Sequence, residues 1–228
     1  MAKGRITVRR ELRQPDGFMK TATMALGYVK GHRRSVIVGA VVLAISLAGV
    51  VGVSSYFNYQ NRRASQVLTT GLQAYATAAG SSSQVQEMLA ELKAGAENAP
   101  LAASYPLLCY LRGNGYYDLQ DYDQARHAYE EALVKADGYV ADLCRLGLAY
   151  VAFAEQAYAK SIEILEALQA DKTSFREDVY LLMGMSFEQL NKVDDAVAAY
   201  ENMIQFVPDS QLLPWVEGRL ERLKLIGS

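Results

Sequence analysis

The longest break in the mixed polar and apolar patterning runs from Ser35 to Asn61, where no residue is charged. Its centre, Val36 to Val53, reads VIVGAVVLAISLAGVVGV. A helix rises about 1.5 Å per residue, so about 20 apolar residues cross a hydrocarbon core about 30 Å thick. Extended to Phe57, the run meets that length. In lipid every backbone amide must be satisfied within the segment, so a single pass is a helix. The pattern therefore predicts a transmembrane helix over residues 35–61. Along it, Ala40, Ala44, Ala48 and Gly52 fall every fourth residue. Small residues at that spacing let membrane helices pack closely, here on a second copy or on a membrane partner.

On the N-terminal side, the chain turns at Gln14-Pro15-Asp16-Gly17, and Phe18, Ala22, Leu26 and Val29 then recur at helical spacing. Lys20 and Lys30 lie off that stripe, and Asp16 is placed to cap it. The arm, residues 1–34, is thus expected to carry a short amphipathic helix. Such a helix suits either the inner membrane surface, with its lysines near anionic headgroups, or a cytosolic docking partner. On the other side, no Pro or Gly interrupts Val53 to Thr70, so the membrane helix is expected to continue to Ala79. A loop follows at Gly80–Ser83, and then Val85, Met88, Leu89 and Leu92 form one stripe over Gln84–Glu97. Residues 62–104 therefore read as a membrane-proximal helical hairpin.

The strongest pattern is an internal repeat. Gly113 and Gly147 stand 34 residues apart, and Gly184 follows 37 later. Each has an aromatic three residues on: Tyr116, Tyr150 and Phe187. Ala125, Tyr129 and Ala132 follow Gly113 at the offsets where Ala196, Tyr200 and Met203 follow Gly184, and Pro208 comes next. The small residues let a first helix approach a second, the aromatics fill the gap, and the proline ends the second helix. In the middle repeat Ser161 takes the small position only if two extra residues follow Tyr150, and Leu165 stands where the aromatic would be. A lengthened turn around Phe153–Ala157 is the expected solution. Three repeats thus occupy residues 105–210. A last helix within 211–228, capped by Asp209 or Ser210 and carrying Leu213, Val216, Leu220, Leu223 and Leu225, is expected to close the open end. No stretch reads as a strand, and the fold class is all-α.

Charge sharpens this picture. Among 228 residues, Met1–Arg34 carries nine Lys/Arg against two acids, a net +7, whereas the chain from Ala64 onward carries a net −11. Close to the span, Lys20, Lys30, Arg33 and Arg34 outweigh Arg62 and Arg63. That bias keeps the N-terminus cytoplasmic and, in a bacterial inner membrane, places the C-terminal domain in the periplasm. The arm is too long for the start of a signal peptide, and the run ends GVVGVSSYF with neither an A-x-A site nor a lipoprotein cysteine. A retained anchor is expected. The acidic domain without a basic stripe argues against nucleic acid, and none is expected as a partner. Cys109 and Cys144 fit no metal spacing, and they read either as buried thiols or as a bridge permitted in an oxidising compartment.

These anchors resemble the tetratricopeptide repeat family over about Tyr105–Pro208. The wider layout, with its arm ending KGHRR, one span, the run ASQVLTTGLQAYATAAG and then the repeats, resembles the bacterial inner-membrane ancillary subunits of the Sec translocon. That resemblance implies a role beside periplasmic chaperones, handling proteins that leave the translocon. An assembly scaffold for cell division or for another envelope complex is the alternative.

Little in the sequence supports catalysis, and the chain is expected to be no enzyme, with no cofactor and no metal. His32 sits at the membrane edge and His127 lies among polar residues. Asp118, Asp121 and Asp123 lack the following Glu of a calcium loop. The expected site is the concave groove of the first helices. Repeat geometry assigns to it Tyr110, Asn114 and Tyr117, then Cys144, Leu148 and Val151, then Leu181, Met185 and Glu188. Asn114 falls where family members that bind chaperone tails place a carboxylate-gripping Asn. Tyr110 and Leu148 replace the accompanying Lys and the next Asn, so hydrophobic segments are the expected ligands. Equally, the chain's own hairpin or last helix could fill this groove.

Overall fold

The computed structural model describes residues 17–78, 81–168 and 173–226, and every regular element within them is helical. The chain divides into two units, Met1–Tyr56 and Phe57–Ser228.

The first unit holds α1 (Gly17–Gly31) and the beginning of α2 (Arg33–Ala78). Gln14, Pro15 and the Asp16 cap lie outside the described residues, as do the side chains of Phe18, Lys20 and Ala22. Tyr28 and His32 stack at 4.5 Å where α1 gives way to α2. The apolar window of α2 is long enough to cross a membrane, and none of it is buried. Ala40, Ala44, Ala48 and Gly52 are all exposed. A Cβ placed on Gly52 meets nothing within 4 Å, so among the described residues this face has no packing partner. The helix runs unbroken to Ala78, as the absence of breakers implies.

The second unit begins with the end of α2. It continues through α3 (Ser82–Asn98), α4 (Tyr105–Asp118), α5 (Tyr122–Leu133), α6 (Gly138–Ala154), α7 (Tyr158–Ala167), α8 (Arg176–Gln189), α9 (Val193–Phe206) and α10 (Leu213–Ile226). From α3 on, each helix packs on its neighbour, and the first helices of the repeats also touch, α4 on α6 and α6 on α8. That is the layout of an α-solenoid. The hairpin forms as its stripe implies. Val85, Met88, Leu89 and Leu92 are buried with Ala64 of α2 and with Leu108 and Leu111 of α4. Each such side chain stabilises the fold by about 1.5–3 kcal/mol. The link from α3 to α4 is tied back to α2, because the Leu101 amide donates to Gln60 Oε1 at 3.1 Å and the Ala103 amide donates to Asn61 Oδ1 at 2.9 Å.

The three repeats share one turn. Gln120, Gln156 and Asn191 have φ of 61°, 63° and 55°, the left-handed region. Around each, the next amide reaches back five residues: Asp121 to Tyr116 O at 2.9 Å, Ala157 to Ala152 O at 2.8 Å, and Lys192 to Phe187 O at 2.9 Å. This is the Schellman termination, with Gln or Asn where Gly is usual. It corrects the middle repeat. The turn after α6 is no longer than the others, and the two extra residues extend α6 itself to Ala154. Counted from the turns, the residue equivalent to Gly113 and Gly184 is Ala149, and Gly147 takes the place of Leu111 and Leu182.

Why the sequence misleads at this point is clear from the packing. A Cβ on Gly113 would lie 2.3 Å from the Tyr129 ring, and one on Gly184 2.4 Å from the Tyr200 ring. In the middle repeat the facing residue is Leu165, which leaves room for Ala149. Gly147 is a glycine for another reason: the Tyr129 ring of the preceding repeat reaches it, and a Cβ there would lie 2.6 Å away.

α10 buries Val216, Leu220 and Leu223 against Tyr200 and Met203. Leu225, expected on the same stripe, is 78% exposed, because two residues beyond Leu223 the helix has turned about 200°. Its start is also later than either proposed cap. Ser210 Oγ accepts from the Leu212 amide at 3.0 Å and forms the turn before α10 rather than capping it.

Gly147→Ala pushes a methyl group into a ring fixed on both sides and is expected to destabilise the protein by about 1–3 kcal/mol. Ala149→Gly, two residues away, is expected to cost about 1 kcal/mol through helix propensity alone. Urea unfolding of the full-length protein in detergent, followed by tyrosine fluorescence, ranks the two. A Gly147→Ala variant as stable as the parent would contradict this register. Gln156→Gly is expected to raise the unfolding midpoint, because it relieves a left-handed backbone that costs an L-residue about 1–2 kcal/mol.

Candidate functional site

A groove of about 440 Å³ opens between α4 and α6. Tyr110, Asn114, Tyr117 and Asp118 face it from α4, and Leu143, Leu146, Gly147 and Tyr150 from α6. Tyr75 of α2 and Tyr129 of α5 complete one side, and Phe175 and Asp178 close the other at the start of α8. The three first-repeat residues, Tyr110, Asn114 and Tyr117, all line this groove.

The second-repeat set does not. Cys144 and Val151 are 0% and 1% exposed, inside the core with Cys109, Ala125 and Ala132, and Leu148 packs against that core. The two-residue slip described above accounts for this. It rotates the chosen face by about 200°, so residues picked for the groove point into the layer between first and second helices. The true face carries Leu146 and Tyr150.

The third-repeat set is engaged by the last helix. Glu188 accepts from Tyr200 Oη at 2.5 Å and from Arg219 Nε of α10 at 3.0 Å, with Arg219 Nη2 on its second oxygen. Leu181 packs on the core shared with α10, and Met185 is half-buried and does not line the groove. Of the third-repeat set, Glu188 bonds to α10 and Leu181 packs on the core it shares, while the groove itself lies between the first two repeats.

Tyrosine dominates the open part. Tyr129 is 2% exposed, and its hydroxyl donates to Asn114 Oδ1 at 2.8 Å. Asn114 is therefore already engaged by its own chain. Tyr150 Oη donates to Asp178 Oδ1 at 3.0 Å. Burial, then the hydroxyl's bond to Asp118, pushes Tyr75 up to about 12. Burial also raises Tyr110, Tyr117, Tyr129 and Tyr150, the last of these further because of the Asp178 carboxylate. All five rings are neutral at physiological pH, so the charge on the groove wall comes from Asp118 and Asp178. Of the Leu, Val, Met and Tyr surface expected from the sequence, Tyr110 and Tyr117 line the groove, with Leu143, Leu146, further aromatic rings and two acids beside them.

Sequence spacing missed Tyr75, Leu143, Leu146, Tyr150, Phe175 and Asp178. The triplets Leu-Gln-Asp, Glu-Gln-Ala and Leu-Asn-Lys that end the first helices carry the register, and aligning on them finds Leu146 and Tyr150. Nothing local marks Tyr75 or Asp178, which arrive from neighbouring elements.

Both cysteines are free and buried. Burial and the nearby Glu131 push the Cys109 thiol up to about 11, and burial with Cys109 alongside pushes Cys144 up to about 12. They are small core residues with little thiolate character. Among the described residues, no group of His, Cys, Asp and Glu is placed to hold a metal ion. The cysteines are expected to resist maleimide in the folded, detergent-solubilised protein and to react fully in urea, read by mass spectrometry. Rapid labelling of either in the folded state would contradict the packing.

The chain is similar in structure to MamA 41-end from Desulfovibrio magneticus RS-1 and to a MamA RS-1 ArsTM double mutant. Each is 17% identical with a TM-score of 0.55, covering 72% of this chain and 88% of the other. At that identity the likeness concerns the fold alone. No curated protein matches the sequence. The model of the tetratricopeptide repeat-like domain matches residues 28–225, and with the turns, wedged tyrosines and stacked first helices in place, the chain belongs to that family.

Proposed function

We propose that this protein is a membrane-anchored binding module whose open groove takes segments of other proteins, working in the bacterial periplasm on chains that emerge from the Sec translocon. The groove between α4 and α6 is the observation that carries this reading. It is accessible, lined by rings rather than by catalytic groups, and lies on the face that repeat proteins use for ligands. The apolar window of α2 supports anchoring, and the excess of Lys20, Lys30, Arg33 and Arg34 over Arg62 and Arg63 supports an N-terminus in the cytoplasm. Binding, not catalysis, is the role proposed. A second reading, a scaffold for another envelope complex, rests on the exposed face of Ala40, Ala44, Ala48 and Gly52, which suits contact with one membrane protein.

A photocrosslinking amino acid at Leu143, in membranes of cells exporting a stalled substrate, is expected to capture that substrate and translocon subunits. Leu143→Arg, which sets a long side chain into the groove, is expected to abolish capture while leaving the helical circular dichroism unchanged. One stoichiometric folded partner, captured through residues 40–52 and not through Leu143, would replace the first reading with the second. A reporter fused after the last residue should be active only outside the cytoplasm, and cytoplasmic activity would reverse the orientation.

A further inference from the structure

The groove's chemistry is lopsided. Among its described lining residues, Asp118 and Asp178 are the ones that carry formal charge, and none is Lys, Arg or His. Asp178 accepts from Tyr150 through one oxygen, Oδ1, at 3.0 Å. Asp118 lies beside Tyr75, whose hydroxyl bonds to it. Glu177, half-buried on the same turn as Asp178, adds a third negative charge close enough to act on the Tyr150 hydroxyl. The same groove carries the rings of Tyr110, Tyr117 and Tyr129, uncharged because burial holds their hydroxyls protonated. Four arginines elsewhere in the second unit pair with acids: Arg112 with Glu131, Arg126 with Glu155 and Asp123, Arg145 with Asp142, and Arg219 with Glu188. Among the described lining residues nothing balances the acids.

We propose that the groove selects segments bearing arginine or lysine, holding the cationic side chain against the tyrosine faces with Asp118 and Asp178 as counter-charges. An aromatic face attracts a cation through its quadrupole, and more strongly once water is displaced. A carboxylate supplies the charge-assisted hydrogen bonds. Guanidinium is favoured over ammonium, because its plane stacks on a ring while its edge donors reach an acid. The volume, about 440 Å³, admits a few side chains of an extended segment and not a folded domain. Hydrophobic stretches alone, the ligand expected from the sequence, leave both acids facing an apolar surface without compensation. A purely acidic segment is repelled.

This inference rests on the groove being the binding site, and its test separates the two claims. The probes are short fluorescent peptides with a shared Ser/Leu backbone that carry a pair of arginines, citrullines or glutamates. They are titrated against the full-length protein in detergent, with the photocrosslinker at Leu143 as a second readout. The arginine peptide is expected to bind about tenfold or more tighter than its citrulline counterpart, which keeps the planar shape but loses the charge and exchanges one NH2 donor for a carbonyl acceptor. The glutamate peptide should not bind. In the double variant Asp118→Asn and Asp178→Asn, which retains the tyrosine hydrogen-bond acceptors, the advantage of arginine should vanish. If arginine and citrulline peptides bind equally and both crosslink at Leu143, the charge selection is wrong and the groove stands. If the arginine peptide binds but does not crosslink at Leu143, or if no peptide binds, the groove reading falls with it.

Discussion

One aromatic ring sets the geometry on which the groove depends. Tyr129, from the second helix of the first repeat, lies against Gly113 of α4 and Gly147 of α6, so close that neither position has room for a methyl group. A buried tyrosine removes a large apolar surface from water, but its hydroxyl must be satisfied, and Asn114 Oδ1 does this at 2.8 Å. The ring therefore fixes the separation of the two helices that form the groove walls, and its polar end fixes a third wall residue. The third repeat uses the same device with Tyr200 against Gly184. There the hydroxyl ends on Glu188, which also binds Arg219 of the last helix. In the middle repeat the device is absent. Leu165 replaces the ring, Ala149 replaces the glycine, and Ser161 Oγ donates to Ala149 O at 2.9 Å. Two aromatic wedges thus flank an aliphatic centre.

That alternation explains which parts of the structure can be read from the chain and which cannot. Helix existence is legible because each helix carries its own stripe, and the stripe of α3 at Val85, Met88, Leu89 and Leu92 is buried as its spacing implies. The identity of the repeat is legible because the first and third copies share their anchors. Register in the middle copy is not. A glycine at 147 satisfies the repeat pattern by spacing, yet the packing that requires it belongs to the ring of the previous repeat. The same residue type answers two different steric demands two positions apart. Spacing counts residues and does not record which ring each glycine meets. The cost of that ambiguity falls on function: two positions on a helix separate Cys144 and Val151 in the core from Leu146 and Tyr150 on the groove.

The groove's chemistry is hidden from the sequence for a different reason. Tyr75 comes from α2 and Asp178 from α8, far apart in sequence and brought to one groove only by the packing of the helices. Capping is only half legible as well. The hydrophobic stripe of α10 announces a closing helix, but nothing local says that its Arg219 will meet Glu188 of the third repeat.

An open groove lined by aromatic rings invites collapse, since burying those faces on each other would be favourable. What opposes collapse is the disposition of the polar ends. Tyr129 is held by Asn114, Tyr150 by Asp178 and Tyr75 by Asp118, so each hydroxyl is satisfied within the chain. Closing the groove would drive Asp118 and Asp178 together and out of water, and two desolvated carboxylates without a cation are costly. The Tyr129 ring sets the walls apart, the two carboxylates add to the cost of closing them, and the same two charges define the ligand proposed for the groove.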